Sequence, residues 1–113
     1  MSVTVKERVN DWVLIEIIPT HGTPEKLMNS SMPVSKFLAT AGIANTANCC
    51  LAPTSAISVA SGLGFMISNS GDSPYPYAFN SAPLSEKGNE DLNEWWVDAA
   101  NSNLTLNVIG RLA

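Results

Sequence analysis

The sequence has 113 residues, of which 45% are hydrophobic and 14% are charged, and its formal net charge is −4. This length predicts one domain that can fold without a metal or a disulfide, and the hydrophobic content excludes a disordered chain. The negative charge and the scattering of the six Lys and Arg residues argue against nucleic-acid binding. Charged residues usually make up about 25% of a chain. The smaller fraction of charged residues here favours a protein with large subunit contacts.

The first 18 residues are predicted to form an N-terminal arm or interface strands. Residues 3–8 alternate between apolar and polar side chains, Asn10-Asp11 marks a turn, and the Trp12–Ile18 run is almost continuously apolar. Such a run indicates a strand that is covered on both faces, by the sheet and by a subunit interface. It is too short to cross a bilayer, and the charged N-terminus does not fit a signal peptide, so we expect synthesis in a cytoplasm and no membrane partner.

The middle of the chain predicts short elements separated by turns. Thr23–Met28 resembles a helix start, with Thr as the N-cap and Pro at the first helical position. The segment 37–41 fits either a strand or a short helix, and the proline in 75–79 confines that segment to a sheet edge or an extended loop. Further strands are predicted at 48–51, 55–59 and 65–68. The neighbours Cys49 and Cys50 are expected to be free thiols, with one or both buried.

The C-terminal stretch predicts a closing β-hairpin. Residues 94–99 and 104–109 read as two strands folded back on each other around the Asn101-Ser102-Asn103 break. Alternation places Trp95 in the core, whereas Trp96 faces outward with two carboxylates. Trp96 is then explained either by packing under a loop or by contact with a partner.

No catalytic or metal-binding constellation is evident. The single histidine, His21, lies beside a glycine in a predicted loop, and no local sequence supports its pairing with a cysteine. Asp91, Asn93 and Asp98 offer oxygen ligands for calcium, but their spacing does not fit an EF-hand. An acidic rim that faces a basic partner is the commoner explanation. We therefore expect no metal and no cofactor.

About eight short strands with turns between them are typical of a sandwich or a jelly roll. The predicted fold is a single all-β domain over residues 1–113. It is an antiparallel β-sandwich or jelly-roll-like barrel, with an extended N-terminal arm and at most one short helix.

The second half of the chain resembles small β-sandwich virion proteins of tailed bacteriophages. The resemblance is carried by the patterns at Pro53–Val59, Gly64–Asn69, Leu92–Ala100 and Leu104–Gly110, and it spans at most residues 53–112. It implies a capsid decoration protein or a head or tail component, often trimeric, with no active site.

The leading hypothesis is therefore a non-catalytic virion protein that cements or decorates a protein lattice. Its expected partners are copies of itself, as a trimer by preference, and the major capsid protein or another virion protein. The candidate contact residues are Trp12, Ile15, Ile17, Tyr75, Tyr77 and Trp96, since tryptophan is enriched at binding hot spots.

The alternative is a carbohydrate-binding or receptor-binding module in which Tyr75 and Tyr77, beside Asp72, stack on a sugar together with Trp96. A small enzyme is a third hypothesis.

Overall fold

A computed structural model describes residues 1–68, 75–82 and 89–113. These residues form ten β-strands and one 3-10 turn at Leu92–Glu94, which confirms the prediction of an all-β fold. In chain order the strands are β1 Ser2–Val9, β2 Trp12–Ile18, β3 Glu25–Lys26, β4 Pro33–Ala41, β5 Cys49–Ala52, β6 Phe65–Ile67, β7 Ala78–Asn80, β8 Glu90–Asp91, β9 Trp96–Ala99 and β10 Leu106–Leu112.

The strands form two antiparallel sheets that pack against each other. The larger sheet has the order β1-β2-β10-β4-β7, and β8 makes a sixth strand by pairing with β4. The smaller sheet has the order β3-β9-β5-β6. Side chains from the inner faces of both sheets share one buried hydrophobic cluster, so the predicted sandwich is confirmed.

Alternation of buried and more exposed side chains, which is clearest in β2 and β10, creates much of this core. In β10, Leu106 and Val108 are fully buried whereas Ile109 is exposed, as expected when successive side chains point to opposite faces of a sheet. Trp95 is 3% exposed and packs edge-on against Phe37, with ring centroids 5.0 Å apart. The prediction of Trp95 as a core residue is thus confirmed.

The predicted closing hairpin is wrong. Strand β9 belongs to the smaller sheet and β10 to the larger one, so residues 100–105 cross from one sheet to the other. The crossing is fixed by Asn45, whose Nδ2 donates to the Thr105 carbonyl at 2.7 Å and whose Oδ1 accepts the Thr105 N–H at 2.8 Å. Asn45 is itself buried, and its Oδ1 gives the Thr105 N–H an acceptor, while the Thr105 carbonyl also accepts the Gly42 N–H at 2.8 Å.

Three further elements differ from their predictions. The predicted helix start at 23–28 contains the short strand β3, because Glu25 pairs with Val97 and the Leu27 N–H donates to the Trp95 carbonyl at 2.9 Å. Residues 55–59 form no strand and are part of a loop. The N-terminal segment is not a separate arm, since β1 and β2 are paired along most of their length in the larger sheet.

The 3-10 turn is held by the side chain of Asp91. One carboxylate oxygen, Oδ1, accepts the Met32 and Asn93 N–H groups at 2.8 and 3.0 Å, and Oδ2 accepts the Ser31 hydroxyl proton at 2.5 Å. The Ser31 hydrogen bond, followed by the two backbone hydrogen bonds, lowers the pKa of Asp91 below its ordinary value of 3.8. The residue therefore stabilises the turn in its ionised form.

We expect Asp91→Ala to lower the free energy of unfolding at pH 7 by about 0.5–2 kcal/mol, the usual cost of removing a capping side chain. A carboxyl whose pKa is lower in the folded state stabilises the protein fully above its unfolded pKa, and this contribution disappears as the pH falls through the folded value. The difference between wild type and variant in urea unfolding should therefore shrink below about pH 3.8. A difference that stays constant down to pH 2 would contradict this role.

Gly110 of the central strand β10 lies close to a buried side chain of the neighbouring strand β4. A methyl group built on Gly110 would lie 2.9 Å from Cγ1 of Val34, a fully buried side chain. Because Val34 is β-branched and enclosed by the core, it has little room to move. An inward-facing glycine is therefore required at this position.

We expect Gly110→Ala to destabilise the fold by about 1–3 kcal/mol, the cost of overpacking a core. Val34→Ala removes the clashing methyl group, so the double variant should be more stable than the two single effects added together. Urea unfolding followed by tryptophan fluorescence measures all three variants. Strict additivity would show that Val34 does not limit the size of residue 110.

Candidate functional site

The outer face of the larger sheet carries apolar side chains on adjacent strands. Ile109 of β10 pairs with Leu14 of β2 on one side and with Leu38 of β4 on the other, so the three form a row across the sheet. Trp12 and Val9 pair with each other one step further along β2 and β1. We call the five residues Val9, Trp12, Leu14, Leu38 and Ile109 the outer patch.

The outer patch is open to solvent. The exposed fraction is 49% for Val9, 44% for Trp12, 42% for Ile109 and 37% for Leu38. Single exposed apolar residues are normal on protein surfaces, but a contiguous group of large ones marks an interaction site. The patch is therefore the strongest candidate interface among the described residues.

Two shallow depressions adjoin each other in the outer patch. The first has a volume of about 240 Å³ and lies among Trp12, Leu38, Ile109 and Asn80. The second, of about 170 Å³, also contacts Trp12 and Ile109 and reaches Val9. Because Trp12 and Ile109 line both, they form a ridge that a partner would contact from either side.

Charged residues lie around the outer patch. Arg111 of β10 pairs with Lys36 of β4 and with Trp12 of β2, which places two cations alongside the apolar row, in line with Trp12. Glu7 borders the second depression, and Glu16 forms an ion pair of 3.8 Å with Lys6. An apolar centre with a charged rim is the usual arrangement at a protein–protein interface.

The structure separates the contact residues that were predicted in β2. Trp12 lies in the outer patch, and its role as a contact residue stays a prediction. Ile15 and Ile17 are 0% and 1% exposed in the core, and neither is available to a partner, so the prediction is wrong for both. Sequence reasoning missed Leu38 and Ile109 because the strand partners that bring them beside Trp12 are distant in the sequence. The signal for Ile109 was its place on the otherwise polar face of β10.

The other predicted contact residues lie elsewhere. Tyr75 and Tyr77 are 41% and 65% exposed before β7, while Asp72, predicted beside them, lies outside the described residues. Trp96 is half-buried on the outer face of the smaller sheet. It packs against a small cluster that includes Ile57, which belongs to the loop at 53–64 that covers this face. Trp96 therefore packs under a loop, as one of its two explanations predicts, and its contact with a partner stays a prediction. Lys26 Nζ also lies 5.9 Å from the centre of its ring, within the range of a cation–π interaction.

The candidate calcium ligands do not come together. Asp91 and Asn93 belong to the 3-10 turn, where Asn93 Nδ2 donates to the Met28 carbonyl at 2.8 Å. Asp98 lies on the smaller sheet and accepts the Val59 N–H. In the described part of the chain no group of three His, Cys, Asp or Glu side chains is placed to hold a metal ion.

The thiols are free and buried, as predicted, and they are poor nucleophiles. Burial, followed by the charge of Asp98, raises the pKa of Cys49 to about 11 and that of Cys50 to about 12. A thiol reacts as its thiolate, so neither cysteine fits a nucleophilic role at neutral pH. His21 is exposed, and its Nδ1 donates to the Ala99 carbonyl at 3.0 Å.

Comparison with protein-family models, curated proteins and solved structures finds no match. Across residues 1–68, 75–82 and 89–113, no helix has the length and apolar character needed to cross a membrane.

We expect both cysteines to resist iodoacetamide at pH 8 in the folded protein, because each is buried and protonated. The same reagent should add two groups to the urea-unfolded chain, as intact mass spectrometry will show. Modification of the folded protein at the unfolded rate would show that the thiols become accessible by local opening.

Proposed function

We propose that this chain is a non-catalytic structural protein that binds neighbouring protein subunits through the outer patch. The observation that carries the proposal is the apolar row from Leu14 through Ile109 to Leu38 beside the exposed Trp12. Burying apolar surface yields about 25 cal/mol for each Å², and tryptophan is the residue type most often found at binding hot spots. A partner that covers Trp12 and Ile109 would therefore gain affinity mainly from the hydrophobic effect.

We further propose that this assembly is the virion of a tailed bacteriophage. The support is the resemblance of residues 53–112 to small β-sandwich virion proteins, together with the all-β fold and the low content of charged residues. A stable specific interface buries roughly 800 Å² on each partner, so the rim residues Lys36, Arg111 and Glu7 would contribute to it. In this role the protein decorates or cements the capsid, or joins the head–tail assembly, as a homo-oligomer with a trimer favoured.

A second candidate function is binding of carbohydrate or of a receptor. It is favoured by Tyr77, which is 65% exposed, and by Tyr75, which is 41% exposed, since aromatic side chains at a sandwich edge offer flat faces to a sugar ring. Trp96 packs against a cluster that includes Ile57, so Tyr75 and Tyr77 are the more exposed of the three predicted aromatic residues. Glycan-array binding that Tyr77→Ala abolishes would favour this function.

We expect Ile109→Asn to weaken self-association and lattice binding by at least about tenfold, because it places an amide at the centre of the apolar row that a partner would bury. Ile109 already faces solvent in the isolated chain, so the fold should persist. The measurements are the native mass from sedimentation and co-sedimentation with capsids assembled without this protein.

The matched control is Ile43→Asn. Ile43 is 94% exposed and lies outside the outer patch, so the same substitution there should leave the native mass and lattice binding unchanged. A wild-type protein that is strictly monomeric and fails to bind the lattice would refute the proposed function. Equal effects of the two substitutions would refute the role of the outer patch.

A further inference from the structure

A small cavity lies on the opposite side of the sandwich from the outer patch. Its volume is about 220 Å³, and its wall includes His21, Gly22, Ser58, Val59, Asp98 and Ala99. These residues come from strand β9, from the loop that follows β2, and from the loop at 53–64 that covers the outer face of the smaller sheet.

Two sets of hydrogen bonds fix the walls of this cavity. On one side, Ser58 and Leu63 exchange N–H···O bonds of 3.1 and 3.0 Å, which close the covering loop into a narrow turn. On the other side, the Ala99 carbonyl accepts the Gly22 N–H at 3.3 Å and the His21 Nδ1 proton at 3.0 Å. The cavity is therefore part of the fold and does not depend on a single side-chain rotamer.

Asp98 is a charged residue in this wall, and one of its carboxylate oxygens has no hydrogen-bond donor. Its side chain is 4% exposed, and Oδ2 accepts the Val59 N–H at 3.1 Å. Its other oxygen, Oδ1, is buried and has no hydrogen-bond partner. The ion pairs within the described residues join Glu25 to the amino terminus and Glu16 to Lys6, and neither involves Asp98.

A buried carboxylate oxygen without a donor costs free energy, and native structures rarely retain one without a reason. The Val59 hydrogen bond explains why an acceptor stands at position 98, but an asparagine would serve that bond without burying a charge. Because Asp98 lines the cavity, a positively charged ligand seated there would lie close to this uncompensated carboxylate.

We propose that the cavity binds an alkylammonium or guanidinium group that pairs with Asp98. Both groups carry several N–H donors and a full positive charge, which an unsatisfied carboxylate oxygen requires. His21 lines the same cavity, and the hydrogen bond from its Nδ1 to the Ala99 carbonyl holds the imidazole ring in the wall.

The size and composition of the cavity select this class of ligand. Pockets for drug-sized molecules span about 300–1,000 Å³, so 220 Å³ suits one small cationic group and excludes a large cofactor. A divalent metal would need more protein ligands than one carboxylate and one imidazole, and no group of three is found among the described residues. The ligand can be a free amine or guanidine, or the Lys or Arg side chain of another subunit.

The test is an NMR titration of the ¹⁵N-labelled protein with ethylguanidinium and with n-butylammonium. We expect saturable shifts of the Gly22, Val59 and Ala99 amide signals, whereas the neutral analogues N-ethylurea and n-butanol should produce none. Asp98→Asn keeps an acceptor for Val59 and removes the charge, so it should weaken binding at least about tenfold. Asp11→Asn, the same change at an exposed position, should bind as wild type does.

Two tripeptides identify the source of the cation. If an acetylated Gly-Arg-Gly amide binds more tightly than ethylguanidinium while the Gly-Gln-Gly control does not bind, the ligand is a side chain of a protein partner. Equal affinity of the peptide and ethylguanidinium assigns the site to a free small molecule.

The proposal is overturned if the wild-type shifts do not saturate, if the neutral analogues shift the same amides, or if folded Asp98→Asn binds as tightly as wild type. If Asp98→Asn fails to fold, the comparison of cationic with neutral analogues on the wild-type protein still shows whether the cavity selects a positive charge. The site does not rest on the proposed function, because Ile109→Asn, which disables the outer patch, should leave these titrations unchanged.

Discussion

The alternation of side chains along β10 is the constraint on which the rest of the structure depends. β10 lies between β2 and β4 in the larger sheet, so its inner residues Leu106 and Val108 meet the core while Ile109 lies between Leu14 and Leu38 on the outer face. A register shift of one residue would reverse both faces. The core and the outer patch are thus two consequences of one pairing, and the close approach of Gly110 to Val34 helps to hold that pairing in place.

The sequence predicts well those features that depend on local alternation. The buried positions of Trp95, Leu106 and Val108 follow from period-two patterns, and so does the all-β fold. Strand pairing is different, because it depends on residues far apart in the chain. The Asn101–Asn103 break fits a hairpin and a crossing between sheets equally well, and the contact that distinguishes them is made by Asn45, sixty positions from Thr105.

The dependence of strand pairing on distant residues also limits what the sequence could predict about the outer patch and the Asp98 cavity. The β2 run has apolar residues on both faces, so the sequence does not show whether Ile15 or Trp12 faces the core until the neighbouring strands are known. Asp98 was correctly placed on the outer face of its strand and was considered as a calcium ligand. Its actual neighbours are in the 53–64 loop, part of which was predicted as a strand. Without that loop no cavity could be foreseen.

The outer patch and the Asp98 cavity differ in the kind of recognition that each can provide. Apolar contact is non-directional, so a patch centred on Ile109 favours association but tolerates several orientations. A hydrogen-bonded pair between a buried carboxylate and a cation is directional, and it penalises every partner that leaves the carboxylate unpaired. Because the two sites lie on opposite faces of the sandwich, one copy of the chain can use both at once only with two different neighbours. If the cation that pairs with Asp98 belongs to a protein, the chain becomes a link between subunits, which is what a protein that stabilises a lattice requires.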